Sequence, residues 1–170
     1  VPVPGPSAAT AALSVAGFDQ GGFLFVGFLP AKPGARRAAI EAVRAQTATL
    51  VMYESPHRIG ESLADLAAVL EPERAIVIAR ELTKLHEQVV RLPLGEAVAW
   101  LASDPNHARG EFVLLIEGAP PREGLDPEAE RVLDLLLAEL PLKTAARLAA
   151  EITGQARNAL YARALELKRG

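Results

Sequence analysis

Apolar and polar positions alternate between two rhythms along the first two thirds of this chain, and only one rhythm survives in the last third. Phe23 to Phe28 (FLFVGF), Thr49 to Tyr53 (TLVMY), Ala75 to Ala79 (AIVIA), Gln88 to Leu92 and Glu111 to Glu117 (EFVLLIE) are short apolar, partly β-branched or aromatic runs, which predicts strands. Between them the spacing turns helical. Ala8, Ala9, Ala11, Ala12 and Leu13 form a short helix entered at Pro6 and Ser7 and ended near Gly17, and Arg36 to Ala45 forms another, with Ile40 and Val43 inward. Ile59, Leu63, Leu66 and Leu70 mark a third, for which Ser55 is the expected N-cap and Pro56 the first helical residue. Leu94 to Leu101 gives a fourth, in which the sole tryptophan, Trp100, reads as a core anchor rather than a stacking platform.

Ala75 to Ala79 is apolar at every position, so the sheet is expected to be covered on both faces, and Gln88 to Leu92 is close enough to pair with it as a hairpin. The fold class is therefore α/β, a mixed sheet flanked by helices, over residues 1–118. Gly118 to Gly124 (GAPPREG) gathers residues that stop regular structure and predicts a linker over 119–125. Beyond it, residues 126–170 read as a small three-helix domain. Asp126 caps a helix with Val132, Leu133, Leu136 and Leu140 inward, and Pro141 breaks it. Ala145, Leu148, Ala149 and Ile152 mark the second helix, ended by Gly154, and Leu160, Ala164 and Leu167 the third. Lys143, Arg147, Arg157, Arg163, Lys168 and Arg169 outnumber Glu151 and Glu166, so the tail reads equally as a helix-turn-helix entering a groove or as a cap that only buries its leucines.

A chain of 170 residues with 50% hydrophobic and 23% charged content can build one sizeable core. Cysteine is absent, which excludes disulfides, thiolate catalysis and cysteine metal sites, and a reducing cytoplasmic setting is compatible. The net charge of −3 exerts no bulk pull on nucleic acid, so any RNA contact must come from local patches. No stretch has the length and apolarity of a membrane span or the form of a signal peptide. The chain opens on Val1 in what reads as a connecting segment, and we expect a missing upstream part.

Candidate chemistry clusters where strands end. Tyr53, Glu54, His57 and Arg58 follow one strand, and Arg80, Glu81 and Lys84 follow another, with Lys32 and Arg36 expected nearby. In α/β sheets that edge is the usual ligand site. A cationic rim with embedded carboxylates suits a phosphate-bearing substrate, although a solvated helix start explains Arg58 and Glu61 equally well. Gly5 and the small residues after it leave room for a ligand, but a plain linker entering an alanine helix is the favoured reading on spacing alone. His57, His86 and His107 lack the spacing of a zinc site, and no P-loop, GxGxxG or GxSxG is present.

VPVPGPSAA, FLFVGFLPAK, TLVMYESPHR, ARELTKLHEQ and GEFVLLIEG, in this order, resemble the second half of the ribosomal RNA small-subunit methyltransferase I family, within the tetrapyrrole methylase superfamily. LPLKTAARLAAEITGQARNALYARAL resembles that family's helical C-terminal domain. The resemblance implies S-adenosylmethionine as cofactor and 2′-O-methylation of a cytidine in 16S ribosomal RNA of the small subunit by a cytoplasmic enzyme, expected as a homodimer. It further implies that Gly5, Pro6, Ser7, Ala8, Tyr53, Glu54, Glu111 and Phe112 border the cofactor, and that Lys32, Arg36, His57, Arg58 and Arg80 face the RNA. Glu81 or a deprotonated Lys84 is then the candidate base, and no metal is required. The family's N-terminal domain with its Gly- and Asp-rich cofactor loop has no counterpart here, so this chain supplies one wall of the cleft and is expected to be inactive by itself. A small-molecule tetrapyrrole methylase and a non-catalytic RNA-binding or dimerisation module remain the rival expectations.

Overall fold

The computed structural model describes residues 1–19, 21–120 and 124–168, in two compact units, Val1–Pro120 and Pro121–Gly170. Residues 121–123 of the expected linker and Arg169 of the basic tail lie outside the described residues.

In the first unit the elements run α1 (Ala8–Ala16), β1 (Phe23–Phe28), α2 (Pro33–Val43), β2 (Thr49–Glu54), α3 (Ile59–Val69), β3 (Ala75–Arg80), β4 (Gln88–Pro93), a short 3-10 turn, α4 (Ala97–Ser103) and β5 (Phe112–Ile116). The strands form one sheet in the order β1-β2-β5-β3-β4. β1 and β2 are parallel, β5 runs antiparallel to both β2 and β3, and β3 and β4 make the expected hairpin. Because β5 lies between two strands that both oppose it, β2 and β3 point the same way. Glu54 at the end of β2 and Arg80 at the end of β3 both pair with Phe112 at the start of β5. The loops that leave β2 and β3 therefore emerge from one edge, separated by a single strand, or roughly 10 Å.

Strand alternation sorts the core into two layers. Leu50, Met52, Ile76, Ile78, Leu114 and Ile116 pack with Ile40, Ile59, Leu63 and Leu66 of the helices on one face. Val51, Val77, Ala79, Val113 and Leu115 pack on the other against Ala9, Ala12 and Ala16 of α1. The sheet is covered on both sides, as the uninterrupted apolar runs predict. Trp100 is only half-buried, at the margin of the core, and stacks on the His107 ring at 4.1 Å.

Some details differ from the sequence expectation. Ser55 does not cap α3: Ser55 to Arg58 form a turn, in which the Ser55 carbonyl accepts from the amides of Arg58 and Ile59, and the helix starts at Ile59. The Ser55 amide is instead taken by the Glu54 carboxylate at 2.7 Å. Arg36, expected to face RNA, is 2% exposed. Its helix begins at Pro33 rather than at Arg36, so Arg36 sits one turn before Ile40 on the inward face. There its Nε donates to Asp65 at 2.6 Å, its Nη2 to Glu61 at 3.0 Å and its Nη1 to the Ala31 carbonyl at 3.1 Å. Arg37 donates to the other Asp65 oxygen at 2.7 Å. This network ties α2 to α3.

The second unit comprises α5 (Pro127–Glu139), α6 (Leu142–Thr153) and α7 (Arg157–Leu167). The Asp126 side chain caps α5 by accepting from the Glu128 amide at 2.9 Å, and Gly154 ends α6 in the left-handed region at φ 70°. Leu133, Ala145, Ala146, Ala149, Leu160 and Ala164 form its core. Ile152 and Leu167, expected inward, are exposed at the ends of their helices, past the buried stripe.

Asp65→Ala should lower the unfolding free energy by ~3 kcal/mol in a urea titration, because it strips the buried Arg36 charge of its main partner. Arg37, with Arg36 beside it, holds the Asp65 carboxyl below the usual carboxylate range. Its stabilisation is then complete above the ordinary carboxyl pKa of roughly 4 and is lost as pH falls through the lower folded value. Asp65→Asn should remove that part of the acid dependence, measured as stability against pH.

Candidate functional site

At the shared strand-end edge, Tyr53 is placed by its neighbours on β1. Phe25 and Phe28 would lie on opposite faces of a regular strand, but a bulge at Gly27, with φ 76°, shifts the register. Both rings then meet Tyr53 edge-on, at 5.0 and 5.8 Å between centroids. The Tyr53 hydroxyl accepts from the Ala9 amide at 3.2 Å, which joins the first turn of α1 to the end of β2. Between these elements opens a cavity of about 450 Å³. Phe28, Tyr53, Leu82, Phe112 and Val113 give it apolar walls, and Glu81, Lys84 and Glu111 are its charged side. Gly5, Pro6, Ser7 and Ala8 line an adjoining cavity of about 430 Å³ with Leu82 and Thr83.

Glu54 also lines the larger of the two, but its carboxylate is committed. It is buried and accepts from the Ser55 amide, from the Ser62 hydroxyl at 2.6 Å and from Arg58 at 2.9 Å. Arg58 spends its other end on the Leu29 carbonyl at 3.0 Å, so it braces the loop after β1. His57 and Lys32 are exposed but line neither cavity. With Arg36 buried and Arg58 internally paired, the rim is less cationic than its residue list implies.

The loop after β3 carries the unusual backbone. Glu81 and Thr83 are the non-glycine residues with positive φ, at 51° and 64°, among the described residues. Such conformations cost free energy and persist where surrounding contacts impose them. Here the Glu81 amide donates to the Glu111 carbonyl at 3.0 Å, and Glu81 Oε1 accepts from the Glu111 amide and from Lys84 Nζ, both at 2.9 Å. Lys84 Nζ also reaches Glu111 Oε2 at 3.0 Å. Gly110 makes this packing possible: at φ 93°, a Cβ there would lie 2.4 Å from Glu81 Cγ. Lys84, with the Glu111 amide, holds Glu81 below the usual carboxylate range, and the two carboxylates hold Lys84 above the usual lysine value. The trio is therefore two carboxylates gripping one ammonium, and neither direction favours Lys84 as a proton acceptor.

Of the residues singled out from sequence, Ala8, Tyr53, Glu54, Glu81, Lys84, Glu111 and Phe112 share one cavity, with Gly5, Pro6 and Ser7 beside it. Arg80 turns away into a different, polar cavity, where its Nη1 donates to the carbonyls of Asn106 and Arg109. Sequence reasoning missed Phe28, Leu82, Val113 and Gly110. The last had a readable signal, a glycine two residues ahead of a strand, whereas the apolar three were indistinguishable from core.

Comparison with known proteins adds identity to this geometry. Residues 1–98 match the family described as Tetrapyrrole (Corrin/Porphyrin) Methylases, and residues 123–168 match the RsmI C-terminal HTH domain. The chain is 54% identical over 169 residues to Ribosomal RNA small subunit methyltransferase I of Pseudomonas aeruginosa, covering 98% of this chain and 60% of that protein. The protein of the same name from Escherichia coli O157:H7 is 52% identical over 167 residues, covering 98% and 58%. The chain thus spans about three fifths of the length of these curated relatives. Among solved structures, the methyltransferase CobJ superposes with a TM-score of 0.52 at 22% identity, covering 73% of this chain and 52% of that one. The cobalt precorrin-4 methyltransferase CbiF gives 0.53 at 13% identity, covering 68% and 50%. These two likenesses concern the fold. Taken with the family match over residues 1–98, the chain belongs to the tetrapyrrole methylase family.

Proposed function

We propose that this chain is the catalytic-edge and helical portion of an S-adenosylmethionine-dependent enzyme that methylates the ribose 2′-hydroxyl of a cytidine in 16S ribosomal RNA. The observation that carries this reading is the single cavity in which aromatic and aliphatic walls end in the Glu81–Lys84–Glu111 trio, in a chain so similar to ribosomal RNA methyltransferases. Its volume suits a cofactor-sized ligand, and its make-up matches an adenosyl group on the apolar side and a cationic sulfonium near carboxylates. Tyr53, Phe112 and the Gly5 to Ala8 segment would hold that group, which supplies an electrophilic methyl. Positioning then provides most of the acceleration. Lys84, already fixed as an ammonium, stabilises negative charge developing on the acceptor oxygen, and Glu81 accepts the hydrogen of the hydroxyl. Lys32 and His57, both exposed, are left to meet RNA phosphates, and Arg80 faces the RNA from its separate cavity. The exposed Phe23 and Phe25 of β1 support a homodimer, and a ribosomal substrate supports a cytoplasmic enzyme.

The test is methyl transfer from labelled S-adenosylmethionine, using the chain extended to the length of its relatives and small ribosomal subunits that lack the modification. Label should appear on one cytidine ribose, mapped by primer extension at low nucleotide concentration. Lys84→Met should lower kcat about 100-fold while leaving cofactor affinity nearly unchanged. Transfer to a corrin instead, or none to ribosomal RNA, sinks the proposal. In a carbon-detected NMR titration, Lys84→Met should also move the Glu81 midpoint upward, towards the ordinary carboxylate range.

A further inference from the structure

The loop that closes the first cavity also walls a second. Glu81 belongs to both, and Gly110, against which its side chain is pressed, borders the second. That second cavity, about 610 Å³, differs in character from the first: its walls include Arg80, His86, Gln88, Asn106, His107 and Arg109. Arg80 and Gln88 are directly paired across β3 and β4, so their side chains leave the sheet on the same face. Arg80 Nε, a donor, and Gln88 Oε1, an acceptor, are both buried without a hydrogen-bond partner. Buried polar atoms are almost always satisfied, so a neighbouring unmatched donor and acceptor point to a group that completes them. The third fixed element is His107. Its ring stacks on Trp100, and its Nδ1 donates to the Trp100 carbonyl at 2.9 Å. Arg80 and Arg109 are balanced by Glu81, Glu87 and Asp104 around the same cavity, which suits a neutral polar ligand rather than a phosphate.

We propose that this cavity is a second RNA subsite, which receives the base of a nucleotide adjoining the methylated one. Its unmatched pair complements an edge that offers an amino hydrogen beside an unprotonated ring nitrogen, as cytosine and adenine do: Arg80 Nε donates to the ring nitrogen and Gln88 Oε1 accepts from the amino group. Single-stranded RNA is read in this way, by unstacked bases on their pairing edges. The inference rests on the RNA-methylation reading, and it assigns to Arg80 a base rather than the phosphodiester backbone.

The experiment uses the chain at the length of its relatives and synthetic RNA fragments carrying the target cytidine, each with one abasic residue placed at successive flanking positions. With the unmutated protein, one flanking position should raise KM about tenfold when its base is removed, with kcat little changed. Gln88→Leu should raise KM about tenfold on the complete RNA and no further on that abasic RNA, because both changes delete the same contact. The abasic scan alone is decisive should Gln88→Leu fold poorly. A scan with no sensitive flanking position, or a Gln88→Leu penalty that is the same on complete and abasic RNA, overturns the subsite while leaving RNA methylation standing. An unmutated protein that transfers methyl to no RNA overturns both.

Discussion

The antiparallel seating of β5 between β2 and β3 is the constraint from which the site follows. Had β5 joined the sheet at an edge, the ends of β2 and β3 would have been adjacent but without a strand start between them. As it is, Phe112 is paired on both sides, and Glu111 just before it lies within reach of the loop after β3. One residue of the ladder, paired on both sides, thus brings an ammonium, two carboxylates and an aromatic floor together. The two-sided apolar core makes that ladder rigid, because a slip of one residue would send Leu114 and Val113 each to the wrong layer.

Charge is used in two different ways within the first unit. Arg36, Arg58 and Arg74 serve the fold. Arg74 is buried and fastens the Glu117 carbonyl at 2.8 Å and the Arg44 carbonyl at 3.1 Å, at the opposite end of the sheet from the site, and burial holds it below the usual arginine value. Lys84 is half-exposed and held only by carboxylates, so an incoming anionic or hydroxyl group meets it without dismantling the core. The distinction separates arginines spent on the fold from a lysine left open to solvent.

Much of the fold was legible because strands covered on both faces read as uninterrupted apolar runs, and Ala75 to Ala79 and Phe112 to Ile116 are such runs. Gly17, Asp126 and Gly154 marked helix ends through chemistry that any reader of turns would use. What escaped was long-range. Ser55 followed by Pro56 has the local form of a helix start, yet the carboxylate of the preceding residue claims its amide and delays the helix. Arg36 looks like a solvated first turn until Asp65, far along the chain, is seen to await it. Glu81 gives no local hint of a left-handed backbone, since the contacts with Gly110 and Glu111 that impose it come from another strand. The clustering of Tyr53, Glu54, Glu81 and Lys84 was readable from the strand ends they follow; the partners that occupy Glu54 and Arg58 were not.

The alanine face of α1 carries an implication for how this site can be adjusted. Ala9, Ala12 and Ala16 let the helix lie close on the sheet, and its first turn is what touches the Tyr53 hydroxyl. Each methyl group at those positions acts as a shim: thickening it lifts the helix, and with it the wall that Ala8 gives to the cavity beside Tyr53. Divergence among related chains therefore has a mechanical dial available in the seat of the helix beside that cavity, graded in steps of one carbon.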